Sequence, residues 1–386
     1  MPTNPTPRQG SARRLYRSKV VETTFGTAAT LTEVIPHDLS FEPLATDPEK
    51  ISDQDMASGN NTVFPQRDLI VDNRLIGDVP IYGTARQWGL SLAHAIGADA
   101  VTTPSGSFKL HTIEPGDVDI YLPGETRQEN RRTSTADTDA DIKATGVCID
   151  KTKLEWKEKG PAALTDSLIS EGRDGTAASV TESGLSLETS FLTSKRIRVY
   201  MYAASTNGQS PWDGAHYVVG DYGATYLQAG AFPAAPTGFT NISHLVKSGF
   251  VEWRNGAAFE QNGGTGSGAA LQGGPPMTKA RGCTLSLRCI ASSEIESWLK
   301  GWQVNDYASG YQCCFQIYAL NALNECLSFV LPLAALASKP KEGTGRGPQT
   351  YVFEWKAIKV YTGTDRPVVS VGYVNTDSTD YVPSWS

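Results

Sequence analysis

Apolar residues along the chain fall mostly into short runs, several with a period of two, separated by clusters of Gly, Pro, Ser and Asp. That pattern predicts a mainly β protein, because an alternating run gives a strand one apolar and one polar face. In the first half the runs are Asp68–Val71, Val79–Gly83, Ser107–Ile113, Gly146–Ile149 and Lys153–Lys157. One segment has the helical period instead. Over Ala85–Ile96, Trp88, Leu92 and Ile96 recur every fourth residue beside Ala95, and Gly97 follows as a C-cap.

The second half runs through a similar order. Phe250–Trp253 and Gly282–Cys289 read as strands and Ser293–Trp302 as a short helix capped by Ser292 or Ser293. Cys313–Tyr318, Cys326–Leu331, Thr350–Tyr361 and Val369–Asn375 read as further strands. A Trp-bearing helix between strands therefore occurs twice, which predicts two tandem modules, at 22–190 and 241–386, joined by a linker or insertion over 191–240. Arg196–Tyr202, inside that linker, has strand character. Residues 45–61 and 115–145 read as long polar loops. Residues 1–21 form an extended basic arm with Pro2, Pro5 and Pro7, in which Arg8, Arg13, Arg14 and Arg17 are candidates for contact with a neighbouring acidic subunit. A disordered tail is the plainer reading of the same residues.

The 386 residues are 39% hydrophobic and 19% charged, enough for a substantial core. The formal charge of -7 disfavours a generic nucleic-acid binder, whose phosphate contacts need clustered Lys and Arg. Six cysteines are too sparse for a disulfide framework. No apolar run approaches the length of a membrane span, so no membrane partner is expected. The polar, Pro-rich start does not read as a secretory signal, and synthesis in the cytoplasm is the expectation.

Candidate chemistry is thin. The histidines, His37, His94, His111, His216 and His244, have no metal-ligand spacing. Asp137, Asp139 and Asp141 have calcium-loop spacing, but Ile142 and Cys148 stand where the Gly and Glu belong. Asp117 and Asp119 read as a solvated loop rather than a carboxylate pair. The glycine-rich run Asn262–Gly268 lacks the Lys of a phosphate loop. Adjacent Cys313 and Cys314 suit neither a zinc site nor a redox motif. The sequence thus offers no catalytic, cofactor or metal residues, and no cofactor is expected.

Taken in order, Glu22-Thr23-Thr24-Phe25-Gly26-Thr27, Ile76–Gly97, Gly146-Val147-Cys148-Ile149-Asp150-Lys151 to Leu168, Lys279–Trp302, Tyr351–Ala357 and Val369–Asn375 resemble the tail tube proteins of long, non-contractile-tailed bacteriophages. The resemblance implies two tandem β-sandwich modules, each with a short helix, whose inner strands join between subunits into a β-barrel ring. It implies a virion protein of the tail that partners itself in stacked rings, trimeric with pseudo-sixfold symmetry if both modules count. Its other implied partners are the tape measure protein, the tail terminator and the distal tail protein, and DNA passes transiently through the channel. A capsid decoration protein or a tail terminator remains an alternative. A carbohydrate-binding β-sandwich is another, with Trp88, Trp212, Trp253 and Trp302 as stacking residues.

Overall fold

The computed structural model describes residues 13–37, 44, 49–52, 68–72, 75–105, 108–131, 141–170, 180, 185–187, 190–203, 239–257, 275–296, 299, 312–320, 325–343, 348–359 and 367–383. Its elements follow chain order. β1 (Arg13–Ser18), β2 (Leu31–Ile35), β3 (Glu49–Ser52), β4 (Asp68–Asp72) and β5 (Leu75–Tyr82) precede α1 (Ala85–Ile96). β6 (Ala100–Ser105), β7 (Phe108–Ile113), β8 (Glu125–Arg131), β9 (Ile142–Trp156), β10 (Ala163–Ser170), β11 (Ser186–Leu187) and β12 (Ile197–Ala203) follow. Then come β13 (Thr240–Asn241), β14 (Val246–Arg254), β15 (Gly282–Ile290), β16 (Gln312–Leu320) and β17 (Cys326–Leu336). β18 (Lys341–Gly343), β19 (Thr350–Ala357) and β20 (Ser370–Asn375) close the chain. The protein is mainly β, as the alternating runs predict.

Among the described residues eighteen strands share one sheet, antiparallel except where β11 meets β2, and β3 pairs with β4 apart from it. One arm of the sheet runs β5, β10, β9, β14, β15, β19. A second runs β6, β7, β20, β17, β16, β12, β13. β17 joins them: residues 326–330 pair with β20 and residues 334–336 with β19. Pro332, which has no N–H to give a ladder, stands at the change of partner. A third arm runs β9, β8, β1, β2.

The sheet wraps α1. Thr84 Oγ1 accepts from the Gln87 N–H at 3.1 Å, and Gly97, with φ 77°, closes the helix through an N–H to the Ala93 carbonyl at 2.8 Å. Every residue of α1 except Arg86 is buried, not merely the face bearing Trp88, Leu92 and Ile96. Trp88 stacks on Phe329 of β17, and the main core also takes in Trp156, Trp253 and Trp355. The order strand, helix, antiparallel strand pair occurs twice, as β5, α1, β6, β7 and as β15, helical residues 293–296, β16, β17. Ser292 caps the second helix, its Oγ accepting from the Ile295 N–H at 3.3 Å. Of the predicted 293–302 span, residues 297, 298 and 300–302 lie outside the described residues.

Several boundaries move. The arm ends before Arg13, not at 21, because β1 is paired on both sides, by β2 and by β8. The predicted loop over 115–145 contains β8, whose residues from Glu125 to Asn130 are buried. The two strands read at 146–149 and 153–157 are one continuous strand, β9. The segment read as a linker contributes β12 to the sheet, while residues 204–238 lie outside the described residues. The segments 22–190 and 241–386 are not separate layers either: β9 pairs with β14, and β7 with β20.

Candidate functional site

The Glu22–Thr27 motif is a turn held by its own first residue. Glu22 Oε2 accepts the Gly26 N–H at 2.8 Å, both carboxylate oxygens accept the Gly146 N–H at 3.0 Å, and Oε1 accepts the Thr126 hydroxyl at 2.8 Å. Gly146 has φ 60°, and a Cβ there would stand 3.0 Å from the Phe25 ring, so Phe25 and Gly146 fit as a pair. Burial pushes the Glu22 carboxyl above its usual range, against those donors.

Next to this turn lies a sealed ionic centre that the sequence pattern does not reveal. Arg17 of β1 donates to Glu125 Oε2 through Nε at 3.1 Å and Nη2 at 2.5 Å, and to Ser91 Oγ through Nη1 at 2.9 Å. Arg127 donates to Glu125 through Nε and to Asp166 Oδ2 through Nη2 at 2.8 Å. Ser91 and Thr152 hydroxyls donate to Asp166 at 2.9 and 3.0 Å. His94 Nδ1 lies 2.5 Å from Glu125 Oε2, and His94 Nε2 faces the Lys19 carbonyl at 3.1 Å. The side chains of Arg17, Glu125, Arg127 and Asp166 are all 0% exposed. Burial alone would raise the Glu125 carboxyl, but the Arg127 and Arg17 guanidinia, with His94, hold it far below the usual carboxylate range.

Ser91, His94, Asp166 and Glu125 have the residue types of a hydrolase triad, yet the geometry is wrong for one. The Ser91 hydroxyl gives its proton to Asp166 rather than to His94, and His94 turns Nε2 to a backbone carbonyl. Two positive and two negative side chains balance one another without solvent. This centre fastens β1, β8, β9, β10 and α1 together.

A second ionic contact joins the sequence ends of the fold. Arg86 donates to Glu33 through Nε and Nη2, both at 2.7 Å, and to Glu325 through Nη1 at 3.1 Å. At the far end of α1, His111 Nδ1 lies 3.0 Å from Asp99 Oδ2 while its ring stacks on Tyr381 with centroids 4.1 Å apart. Lys19 pairs with Asp377 at 2.6 Å. The C-terminal residues are thus clamped to the end of β1.

A broad groove of about 670 Å³ lies on the outward side of β9, β14, β15 and β19. The groove lies over Gly249, which faces the core opposite the buried Trp156 and Leu287 and makes room for them there; a Cβ would stand 2.6 Å from the Trp156 ring and 2.7 Å from the Ser286 carbonyl. Its walls are polar and lean cationic. Lys153 lies over the Phe250 ring at 4.3 Å. Lys153 and Lys157 share Glu155, Lys247 pairs with Glu158 at 3.8 Å, and Arg288 donates to the Thr350 hydroxyl at 3.2 Å. No family model matches the chain, and no curated protein matches it.

The sequence-predicted residues separate. Arg17 belongs to the sealed centre and is unavailable to a neighbour, which corrects its assignment to an intersubunit contact. Arg14 is exposed, the Arg13 backbone lies in β1, and Arg8 lies outside the described residues. Trp88 and Trp253 are each 1% exposed and cannot stack on a sugar, while Trp212 and Trp302 lie outside the described residues. Asp117 pairs with Lys359 and Asp119 accepts from Thr278 at 3.2 Å, so both tie loops together. Asp141 is buried; Asp137, Asp139 and the run Asn262–Gly268 lie outside the described residues. Among the described residues no helix is long and apolar enough to cross a membrane.

Cys148, Cys283, Cys289 and Cys326 are buried, and burial pushes the Cys289 and Cys326 thiols up to about 12. Thiolate is the reactive form, so these four are expected to react with a thiol reagent only on unfolding. Labelling of the folded protein followed by peptide mass mapping checks this; rapid labelling of any of the four would contradict their burial.

Proposed function

We propose that the chain is a structural subunit of a bacteriophage tail tube, self-assembling into stacked rings around a channel for DNA. The observation that carries this reading is the sheet. It runs unbroken through both halves of the chain, and among the described residues β5 pairs only β10 beyond a single bridge at Ile81, while β6 pairs only β7. Such edges invite strand pairing with another copy, and ring closure is the way to satisfy them all without open-ended growth. Pro80 in β5 and Pro104 in β6 restrict that pairing, since neither can donate a ladder hydrogen bond. The ordered motifs of the tail tube resemblance fall on structural joints: Glu22 in its turn, α1 at the centre, and β19 and β20 in the sheet. The twice-repeated order of strand, helix and strand pair supports two fused sandwich-type modules, hence three chains per ring.

A channel that passes DNA needs a wall poor in cations. The outward face of β9, β14, β15 and β19 does not fit that wall, because Lys153, Arg254, Arg288 and Lys356 alternate there with Glu155, Glu252 and Glu354. That face is assigned to contact between subunits. Negative-stain electron microscopy of the concentrated protein tests the proposal. Tubes of stacked rings with three chains each are expected; dispersed monomers, or isolated rings that never stack, would refute the reading.

A further inference from the structure

The groove on β9, β14, β15 and β19 has a complementary segment elsewhere in the same sequence. By sequence, residues 45–72 carry Asp47, Glu49, Asp53, Asp55, Asp68 and Asp72 against only Lys50 and Arg67; Asp47, Asp53, Asp55 and Arg67 lie outside the described residues. Within that stretch β3 pairs with β4, and among the described residues neither strand joins the main sheet. A lone two-stranded hairpin is marginally stable in water and gains most by lying against a second surface. The groove supplies one of opposite sign: Lys153, Lys157, Lys247 and Arg288 against Glu155 and Glu158. We infer that this groove receives the acidic β3–β4 hairpin of a second copy. The inference rests on the proposed self-assembly and names the surfaces that meet.

The arrangement is heterologous, one surface on each copy meeting a different surface on the next, so it propagates along a stack rather than closing a dimer. It also explains how cations on an outward sheet face remain useful: they set the register and the rate of docking more than its ultimate strength.

The test is a charge swap. One variant carries Lys157→Glu, Lys247→Glu and Arg288→Glu; the other carries Asp47→Lys, Asp53→Lys and Asp55→Lys. Lys157 is 74% and Lys247 25% exposed in their side chains, so the groove changes do not reach the core. Circular dichroism and melting temperature confirm folding, and milder Lys157→Gln and Lys247→Gln changes serve if the triple variant misfolds. In sedimentation velocity the wild type is expected to self-associate, less so in high salt. Each variant alone is expected to associate at least about tenfold more weakly, and an equimolar mixture to recover, since its hairpins and grooves again have opposite signs. A monomeric wild type, variants that associate like wild type, or a mixture as weak as its parts would each overturn the inference. A mixture that stays weak while each variant shows unchanged hairpin protection in hydrogen exchange would mean that the hairpin lies on its own copy. Electron microscopy of the same samples separates the two readings. Tubes that form equally well in all variants overturn the hairpin docking and leave the tail tube reading standing. Association that follows the swap without any tubes sustains the docking and overturns the tail tube reading.

Discussion

Replacing Glu125 by glutamine is expected to remove about 3–5 kcal/mol of folding stability, the usual cost of breaking a buried ion pair from one side. Glu125 is the acceptor shared by Arg17, Arg127 and His94, all in a region without solvent. Without its charge, two buried guanidinia face Asp166 alone. Among the described residues Nη1 of Arg127 already has no hydrogen-bond partner, so the site has no slack to absorb another loss. Urea unfolding measures the effect as a lower midpoint with an unchanged slope. The companion variant, Glu125→Leu with Arg17→Met, removes a charge of each sign and leaves the Arg127–Asp166 pair in place. It is expected to recover a large part of the loss, because the cost lies in the unpaired charge rather than in the missing bonds. A loss below about 1 kcal/mol for Glu125→Gln would mean that water reaches the centre.

The same carboxyl sets the direction of an acid response. Its folded-state value lies far below the ordinary 4.5, so the unfolded chain takes up a proton here before the folded one does. The stability it contributes is fully present above about 4.5 and is lost as pH falls toward the folded-state value. Glu22 acts oppositely, since burial raises its carboxyl: its ionised form weakens the fold, and that penalty is relieved as pH falls through its raised folded-state value. The gap in stability between wild type and Glu125→Gln is therefore expected to narrow between pH 7 and pH 3, read as converging urea midpoints. A constant gap would show that Glu125 titrates alike in the folded and unfolded chains.

Much of the fold was legible because strand alternation and helix caps are local. The helix at Ala85–Ile96 has the expected bounds, and Gly97 is its C-cap. The starts of β15, β17 and β19 fall where the runs begin, at Gly282, Cys326 and Thr350. The sealed centre was not legible, and the reason is physical. Its charges are neutralised by partners far away in sequence: Arg17 and Glu125 are 108 residues apart. A window that sees Glu125, Arg127 and Glu129 in β8 sees only a polar stretch, and a polar stretch without visible partners reads as a loop. The buried polar side of α1, with Gln87, Ser91 and His94, was hidden in the same way, since apolar periodicity marks only Trp88, Leu92 and Ile96. The one available signal was the i, i+4, i+7 spacing of those three polar residues, which places them on a common face.

A pair of nested N-terminal deletions should give the sharpest contrast at the other end of the scale. Removing residues 2–12 takes away Arg8 and the prolines but leaves β1 intact, so the subunit is expected to fold with an unchanged melting temperature. Under the tail tube reading this deletion shortens or abolishes tubes, because it removes the part of the basic arm that precedes β1. Removing residues 2–18 is a different operation. It strips β1 from between β2 and β8, and with it Leu15, Tyr16 and Arg17, which are at most 1% exposed. Burying Leu15 and Tyr16 contributes roughly 1.5–3 kcal/mol each, and the lost Arg17 adds a half-paired Glu125 to the deficit. The bare ladders of β2 and β8 would then offer themselves to other chains. The longer deletion is expected to yield aggregated or unfolded protein, seen as loss from the soluble fraction and no cooperative melt. If it instead folds with the stability of the shorter one, β1 is dispensable and Arg17 contributes nothing to the sealed centre.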